Sequence, residues 1–198
     1  MVTLVTGGSG SGKSEYGEAL ILGFNPSLVY YIATMEVWGK EGMEKVKRHR
    51  ELRKGKGFIT LECRRRLGRL QLAEAAFSSH SGRAVLLECV SNLAANEMFG
   101  GEDWRREGGI QGLAVRIGED IAALSLQAEE LVIITNEVGA DGRAYGEETM
   151  EYIRLMGILN QRLAEMADQV VEVICGIPVI WKGSADFGLP AWKEWQRK

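Results

Sequence analysis

Eight residues near the N-terminus, Gly7-Gly8-Ser9-Gly10-Ser11-Gly12-Lys13-Ser14, fit the spacing G-x-x-x-x-G-K-[ST]. Glycines in such a loop let backbone N–H groups turn inward around phosphate oxygens, where a Cβ would clash. The loop lies between a short apolar run, Val2-Thr3-Leu4-Val5-Thr6, and a helical pattern from Gly12 to Leu22. The positive end of that helix therefore points at the same anion. In this setting Lys13 reaches the β- and γ-phosphates of a nucleoside triphosphate, and Ser14 holds Mg²⁺. The plainer alternative is a Gly-rich turn that only joins strand to helix. It is disfavoured because Lys13 and Ser14 both stand in the strand–loop–helix context that gives the motif its meaning.

A second Mg²⁺ ligand is expected from a carboxylate at the end of a buried strand. Glu88 holds that place after Ala84-Val85-Leu86-Leu87. The alternative is a strand-end acid facing water, but a carboxylate beside a buried strand is costly without a cation partner. Glu137, in Thr135-Asn136-Glu137-Val138-Gly139, follows a different apolar strand. The carboxyl ends of such strands line the ligand crevice of α/β folds, so Glu137 is expected to face or orient the acceptor.

Lys45, His49 and Arg53 stand four residues apart and share one face of a polar helix. Flanking cations favour neutral imidazole, which can attack phosphorus, while the same cations hold polyphosphate. From charge pattern alone a solvated basic helix face is the preferred reading. A nucleic-acid contact by this helix and Arg64-Arg65-Arg66 is a third, and the formal charge of −3 weighs against it.

These groups must be positioned by a regular scaffold, and the chain has the pattern for one. Leu28–Thr34, Phe58–Cys63, Ala84–Val90, Leu131–Thr135, Val170–Ile174 and Pro178–Trp181 read as strands. Glu41–Lys54, Leu93–Phe99, the stripe Ile110 to Leu124, and Tyr152 to Met166 read as helices. Leu67, Leu70 and Phe77 have near-helical spacing. Phe99–Gly109 and Gly139–Gly146 read as loops. Strands this uniformly apolar are covered on both faces. The expected fold is therefore α/β: a P-loop NTPase-like three-layer sandwich, with a mostly parallel central sheet and helices on both faces. A single catalytic domain is expected over residues 1–182, followed by a tail over 183–198 that carries Trp192 and Trp195.

Composition is ordinary for a soluble globular protein, 45% hydrophobic and 26% charged. Cys63, Cys89 and Cys175 are far apart and form no CxxC pair, which points to free thiols rather than a disulfide framework or zinc site. His49 and His80 lack metal-ligand spacing. No apolar run has the length of a membrane span, and the N-terminus has no signal-peptide pattern, so a cytoplasmic location is the expectation.

With these residues in view, the sequence resembles the bifunctional adenosylcobinamide kinase/adenosylcobinamide-phosphate guanylyltransferases of cobalamin biosynthesis. The resemblance runs from residue 3 to about residue 182. It is carried by LVTGGSGSGKS (4–14), YIAT (31–34), the helix with His49 and Arg53, LLEC (86–89), TNEVG (135–139) and NQRLAEMAD (160–168). It implies two reactions at a shared site. A nucleoside triphosphate, GTP or ATP, first phosphorylates the aminopropanol hydroxyl of adenosylcobinamide. GTP then guanylylates a histidine, here His49, and the GMP passes to the new phosphate. The resemblance further implies that Arg50, Arg53, Glu62 and Glu88 help hold GTP, that Thr34 is a further contact, and that the protein is a homotrimer. Two other readings stand beside it: a P-loop kinase of another small alcohol, and a GTP-binding regulatory protein without catalysis. The chain departs from the family pattern at Gly39 (usually Asp), at Ile153-Arg154 (usually an Arg-Asp pair), and in the loop after TNEVG, which lacks a common Pro. These departures concern acceptor positioning and leave the P-loop and His49 intact.

Overall fold

Apolar residues run without alternation through the central strands, and the fold follows from the need to cover both sides of them. The computed structural model describes residues 1–36, 44, 51, 54–72, 82–101, 103–139 and 141–184. Its strands are β1 (Val2–Thr6), β2 (Leu28–Ala33), β3 (Phe58–Glu62), β4 (Arg83–Glu88), β5 (Glu130–Ile134), β6 (Gln169–Ile174) and β7 (Ile177–Lys182). They form one sheet in the order β3-β2-β4-β5-β1-β6-β7. Every pairing is parallel except β6 with β7. The helices are α1 (Lys13–Gly23), α2 (Val90–Phe99), α3 (Asp103–Arg106), α4 (Gly109–Ser125) and α5 (Glu147–Met166).

Successive residues of each central strand enter opposite cores, as the two-residue period of a strand requires. Leu4, Tyr30, Ile32, Val85, Leu87, Leu131 and Ile133 pack with residues of α2, α4 and α5, including Leu93, Leu113, Ile117, Leu155 and Leu159. Val5, Val29, Tyr31, Ala84, Leu86, Val132 and Ile134 pack on the other side with Tyr16, Leu20 and Ile21 of α1. Each fully buried side chain of this size stabilises the fold by about 1.5–3 kcal/mol. On the α1 side the approach is close. A Cβ on Gly17 would lie 2.5 Å from Ile134 Cδ1.

The expected layered, mostly parallel α/β fold is therefore present, with local corrections. β4 stops at Glu88 rather than running to Val90, because Val90 opens α2 and buries its side chain against the helical layer. The segment expected as a loop from Phe99 to Gly109 contains the short helix α3, held by Trp104, whose buried indole N–H donates to Met98 O at 2.8 Å. Leu67–Arg69 forms one 3₁₀ turn, and residues 73–81, with Phe77 and His80, lie outside the described residues. Of the polar helix expected over 41–54, Glu44 and Glu51 are helical, Lys54 is in a turn, and the other residues lie outside the described ones. β7 turns back on β6 through Cys175-Gly176, whose φ values of 51 and 79 match a two-residue hairpin with both central residues left-handed. Among the described residues no helix is long and apolar enough to cross a membrane.

Candidate active site

Parallel pairing sets the carboxyl ends of β1, β2, β3, β4 and β5 along one rim, where ligand crevices form in open α/β sheets. β1 ends in the glycine loop. Gly7 has φ 146, and a Cβ there would lie 2.5 Å from Val173 O, a backbone atom that cannot move aside. The loop is braced from two sides. Ser11 N donates to Gly8 O at 3.2 Å, and Gly176 N of the β6–β7 turn donates to Ser11 O at 2.8 Å. Lys13 is 7% exposed, and its Nζ donates to Gly8 O at 2.8 Å. The loop thus already curls around the ammonium group that is expected to meet phosphate.

Ser14, in the first turn of α1, donates its hydroxyl to Glu88 Oε1 at 2.6 Å, across 74 residues of sequence. Tyr31 of β2 donates to the other oxygen, Glu88 Oε2, at 2.9 Å. The carboxylate at the end of β4 is therefore held facing the loop, with its two oxygens on two hydroxyls. Ser14 and Glu88 are the oxygen donors that Mg²⁺ prefers, and Mg²⁺ typically completes its shell with substrate phosphates and water. Among the described residues no cluster of three or more His, Cys, Asp or Glu is placed to hold a metal by itself.

Thr34 is fully buried. Its hydroxyl donates to Cys89 O and accepts from Cys89 N, both at 2.8 Å, so it ties the exit of β2 to the exit of β4. Glu62 is exposed at the end of β3 and accepts from Arg64 Nη2 at 3.3 Å. Glu137 is exposed beyond β5, and its backbone N–H donates to Gly7 O at 3.4 Å, which sets the residue beside the glycine loop. His49, Arg50, Arg53 and Gly39 lie outside the described residues.

Several residues that sequence reasoning did not single out hold this rim together. Thr135 donates to Asn160 Oδ1 at 2.7 Å, and Asn160 Nδ2 donates to Asn136 O at 3.2 Å. Asn136 Nδ2 donates to Ser91 Oγ, which also lies 3.1 Å from Cys89 Sγ. Tyr152 donates to Ser91 O at 3.0 Å. Burial pushes the Tyr152 phenol up to about 12 and raises the Cys89 thiol above its ordinary value. Both therefore stay neutral near pH 7 and act as hydrogen-bonding groups. The signal was in the sequence, because TNEVG and NQRLA supply Thr135, Asn136 and Asn160, but their pairing across 24 or 25 residues is a product of the fold.

The departure at Ile153-Arg154 falls on α5. Ile153 packs against Gly139, where a Cβ would meet Ile153 Cγ2 at 2.9 Å. Arg154 lines a cavity of about 410 Å³ with Trp104, Arg105, Gly109 and Glu151, none of which belongs to the Ser14–Glu88 rim.

A brace of this kind around a glycine loop is shared by many nucleotide-binding proteins, so comparison with known proteins decides between them. The family model for cobinamide kinase / cobinamide phosphate guanyltransferase, CobU, matches residues 3–180. The chain belongs to the CobU family. The bifunctional adenosylcobalamin biosynthesis protein CobU of Salmonella typhimurium is 35% identical over 185 residues, covering 90% of this chain and 98% of that protein. The protein of the same name from Escherichia coli is 34% identical with the same coverage. The bifunctional adenosylcobalamin biosynthesis protein CobP of Pseudomonas aeruginosa is 28% identical over 92% of this chain and 98% of its own length. The match to the CobU family takes in the glycine loop, Glu88, the Thr135–Asn160 network and the segment with His49.

Proposed function

We propose that this chain carries out both activities of its family at the rim formed by the glycine loop and the ends of β2 to β5. The family match over residues 3–180 supports the choice of reactions, and the observation that supports this rim as their site is the Ser14–Glu88 hydrogen bond, which sets a P-loop hydroxyl and a strand-end carboxylate side by side. In the first reaction the aminopropanol hydroxyl oxygen of adenosylcobinamide attacks the γ-phosphorus of GTP or ATP. The new O–P bond forms as the bond to the bridging β-phosphate oxygen breaks, and the hydroxyl proton leaves to a base. Glu137, exposed and with its backbone N–H on Gly7 O, is assigned that role. Lys13 leaves Gly8 O to hold the β- and γ-phosphates, while the loop's N–H groups, apart from that of Ser11 on Gly8 O, surround them.

In the second reaction a nitrogen of His49 attacks the α-phosphorus of GTP, and pyrophosphate leaves with the electrons of the broken P–O bond. The phosphate oxygen of the phosphorylated acceptor then attacks that phosphorus. The P–N bond breaks, and its electron pair returns to the imidazole nitrogen. Arg50, Arg53 and Glu62 are assigned to GTP, and Thr34 supports that contact by fixing the β2 and β4 exits. Ser14 and Glu88 would hold Mg²⁺, which neutralises developing charge on the phosphates. The same reading takes residues 1–182 as one catalytic domain and the protein as a cytoplasmic homotrimer with no nucleic-acid partner.

The test is product analysis with purified protein, adenosylcobinamide, Mg²⁺ and either ATP or GTP. With GTP the expected product is adenosylcobinamide-GDP, and with ATP alone the phosphate. Phosphate without any GDP ester under GTP would reduce the function to a kinase. Neither product would reject the reading.

A further inference from the structure

The second reaction needs an anion site that the first does not. Its acceptor already carries a phosphate and must approach the anionic phosphoryl group held on His49, and two anions close together repel unless cations separate them. Arg64-Arg65-Arg66 is the basic run that the P-loop chemistry leaves unused. It lies two residues beyond Glu62, on the same rim as the catalytic groups. In the sheet register Ala33 stands opposite both Glu62 and Glu88. With strands about 4.8 Å apart, the backbones at Glu62 and Glu88 are therefore roughly 10 Å from each other.

The backbone of this run is fixed more firmly than an exposed loop requires. Asn96 Nδ2 donates to Thr34 O at 2.7 Å and to Arg64 O at 3.0 Å. The N–H of Arg66, a non-glycine residue at φ 52, donates to Glu97 Oε1. Glu97 is 7% exposed and is itself held by Arg116 at 3.1 Å. Arg65 donates from Nη1 to Gly100 O at 2.7 Å, which leaves other guanidinium donors. Pinned in this way, the Arg64 and Arg65 side chains stay 45% and 41% exposed. Their ion pairs, to Glu62 at 3.3 Å and Glu36 at 3.9 Å, are of the exposed kind that contributes little. A phosphate offers stronger, bidentate acceptance to a guanidinium.

We propose that Arg64 and Arg65 form a second anion site, which holds the phosphomonoester of the phosphorylated acceptor during nucleotidyl transfer, apart from the glycine loop. The inference rests on the two-step reading of the function. The chain's net negative charge and the short extent of the run favour a single phosphomonoester over a nucleic-acid backbone.

The experiment is equilibrium dialysis of cobinamide phosphate and of cobinamide against the full chain, the double variant Arg64→Gln/Arg65→Gln, and Arg64→Lys/Arg65→Lys. Affinity for cobinamide phosphate should fall by roughly tenfold or more in the Gln variant, since charge-assisted hydrogen bonds are lost. The Lys variant should lie between, because the charge remains while the fork geometry is gone. Cobinamide, which lacks the phosphate, should lose much less. Equal losses for both ligands, no loss for either, or an effect seen only with a single-stranded oligonucleotide would overturn the proposal. If the unaltered chain binds neither corrinoid, the functional reading falls with it. Tight binding of cobinamide phosphate by both the chain and the Gln variant removes the arginine site alone.

Discussion

Two parts of the same rim are built on opposite principles. Around Ser14 and Glu88 the groups are charged or strongly polar, and their partners can be exchanged. Lys13 sits on a loop carbonyl and Glu88 on two hydroxyls, so phosphates and a cation can replace those contacts. Around Thr135, Asn136, Asn160 and Ser91 the groups are neutral amides and hydroxyls that satisfy one another. The first part gains its function by trading hydrogen bonds with a ligand. The second fixes where the strands end. Loss of a group should therefore cost activity in the first part and stability in the second.

The largest separation is expected from Lys13→Ala. Both phosphate-dependent reactions should fall by about 10²–10³-fold, the scale for removing one donor from a preorganised charge-stabilising site. The melting temperature should stay near that of the parent. An activity loss matched by a large thermal shift would blur the comparison. Next comes Glu88→Gln, which keeps the size and one acceptor oxygen, turns the other contact into an amide donor, and removes the charge. The Mg²⁺ concentration for half-maximal activity should rise by at least roughly tenfold, on the scale of perturbed metal sites. An unchanged Mg²⁺ requirement would take Glu88 out of the metal site.

In the second region, Asn160→Ala leaves buried Thr135 Oγ1 and the Asn136 carbonyl without their partner. Unfolding should be easier by about 1–3 kcal/mol. Thermal unfolding should shift down by several degrees, at roughly 2–4 °C per kcal/mol for a chain of this size. The smallest effect concerns pH. Tyr16 and Tyr152 are both pushed up to about 12 by burial, from an ordinary value of 10.0. Their neutral forms favour the folded state fully below pH 10, and that contribution is lost as pH rises toward 12. Ultraviolet titration should show these two tyrosines ionising after the exposed Tyr145 only if desolvation governs them. Tyr145 is itself raised by its hydrogen bond to Asp141, so Tyr16→Phe and Tyr152→Phe spectra are needed to assign the late steps.

The two regions were also unequally legible in the sequence. The glycine loop is a local code: its residues touch phosphate through adjacent backbone, so spacing alone revealed it. Glu88 could be found because a carboxylate after four apolar residues is costly without a partner. The resemblance implies a nucleotide contact for Thr34, and in the structure its hydroxyl bonds the Cys89 backbone. That contact depends on the register between β2 and β4, which no local pattern encodes. The apolar pattern extends β4 to Val90, because a buried helix start and a buried strand end look alike in an apolar run. The brace from Gly176 to Ser11 was invisible for the same reason: it joins segments 165 residues apart.

The most direct test of the two-step account is the intact mass of the protein after incubation with GTP and Mg²⁺, alongside His49→Ala. A GMP-sized gain in the parent, absent in the variant, is the predicted result. A parent that gains no mass, or a variant that gains as much as the parent, would contradict guanylyl transfer through His49.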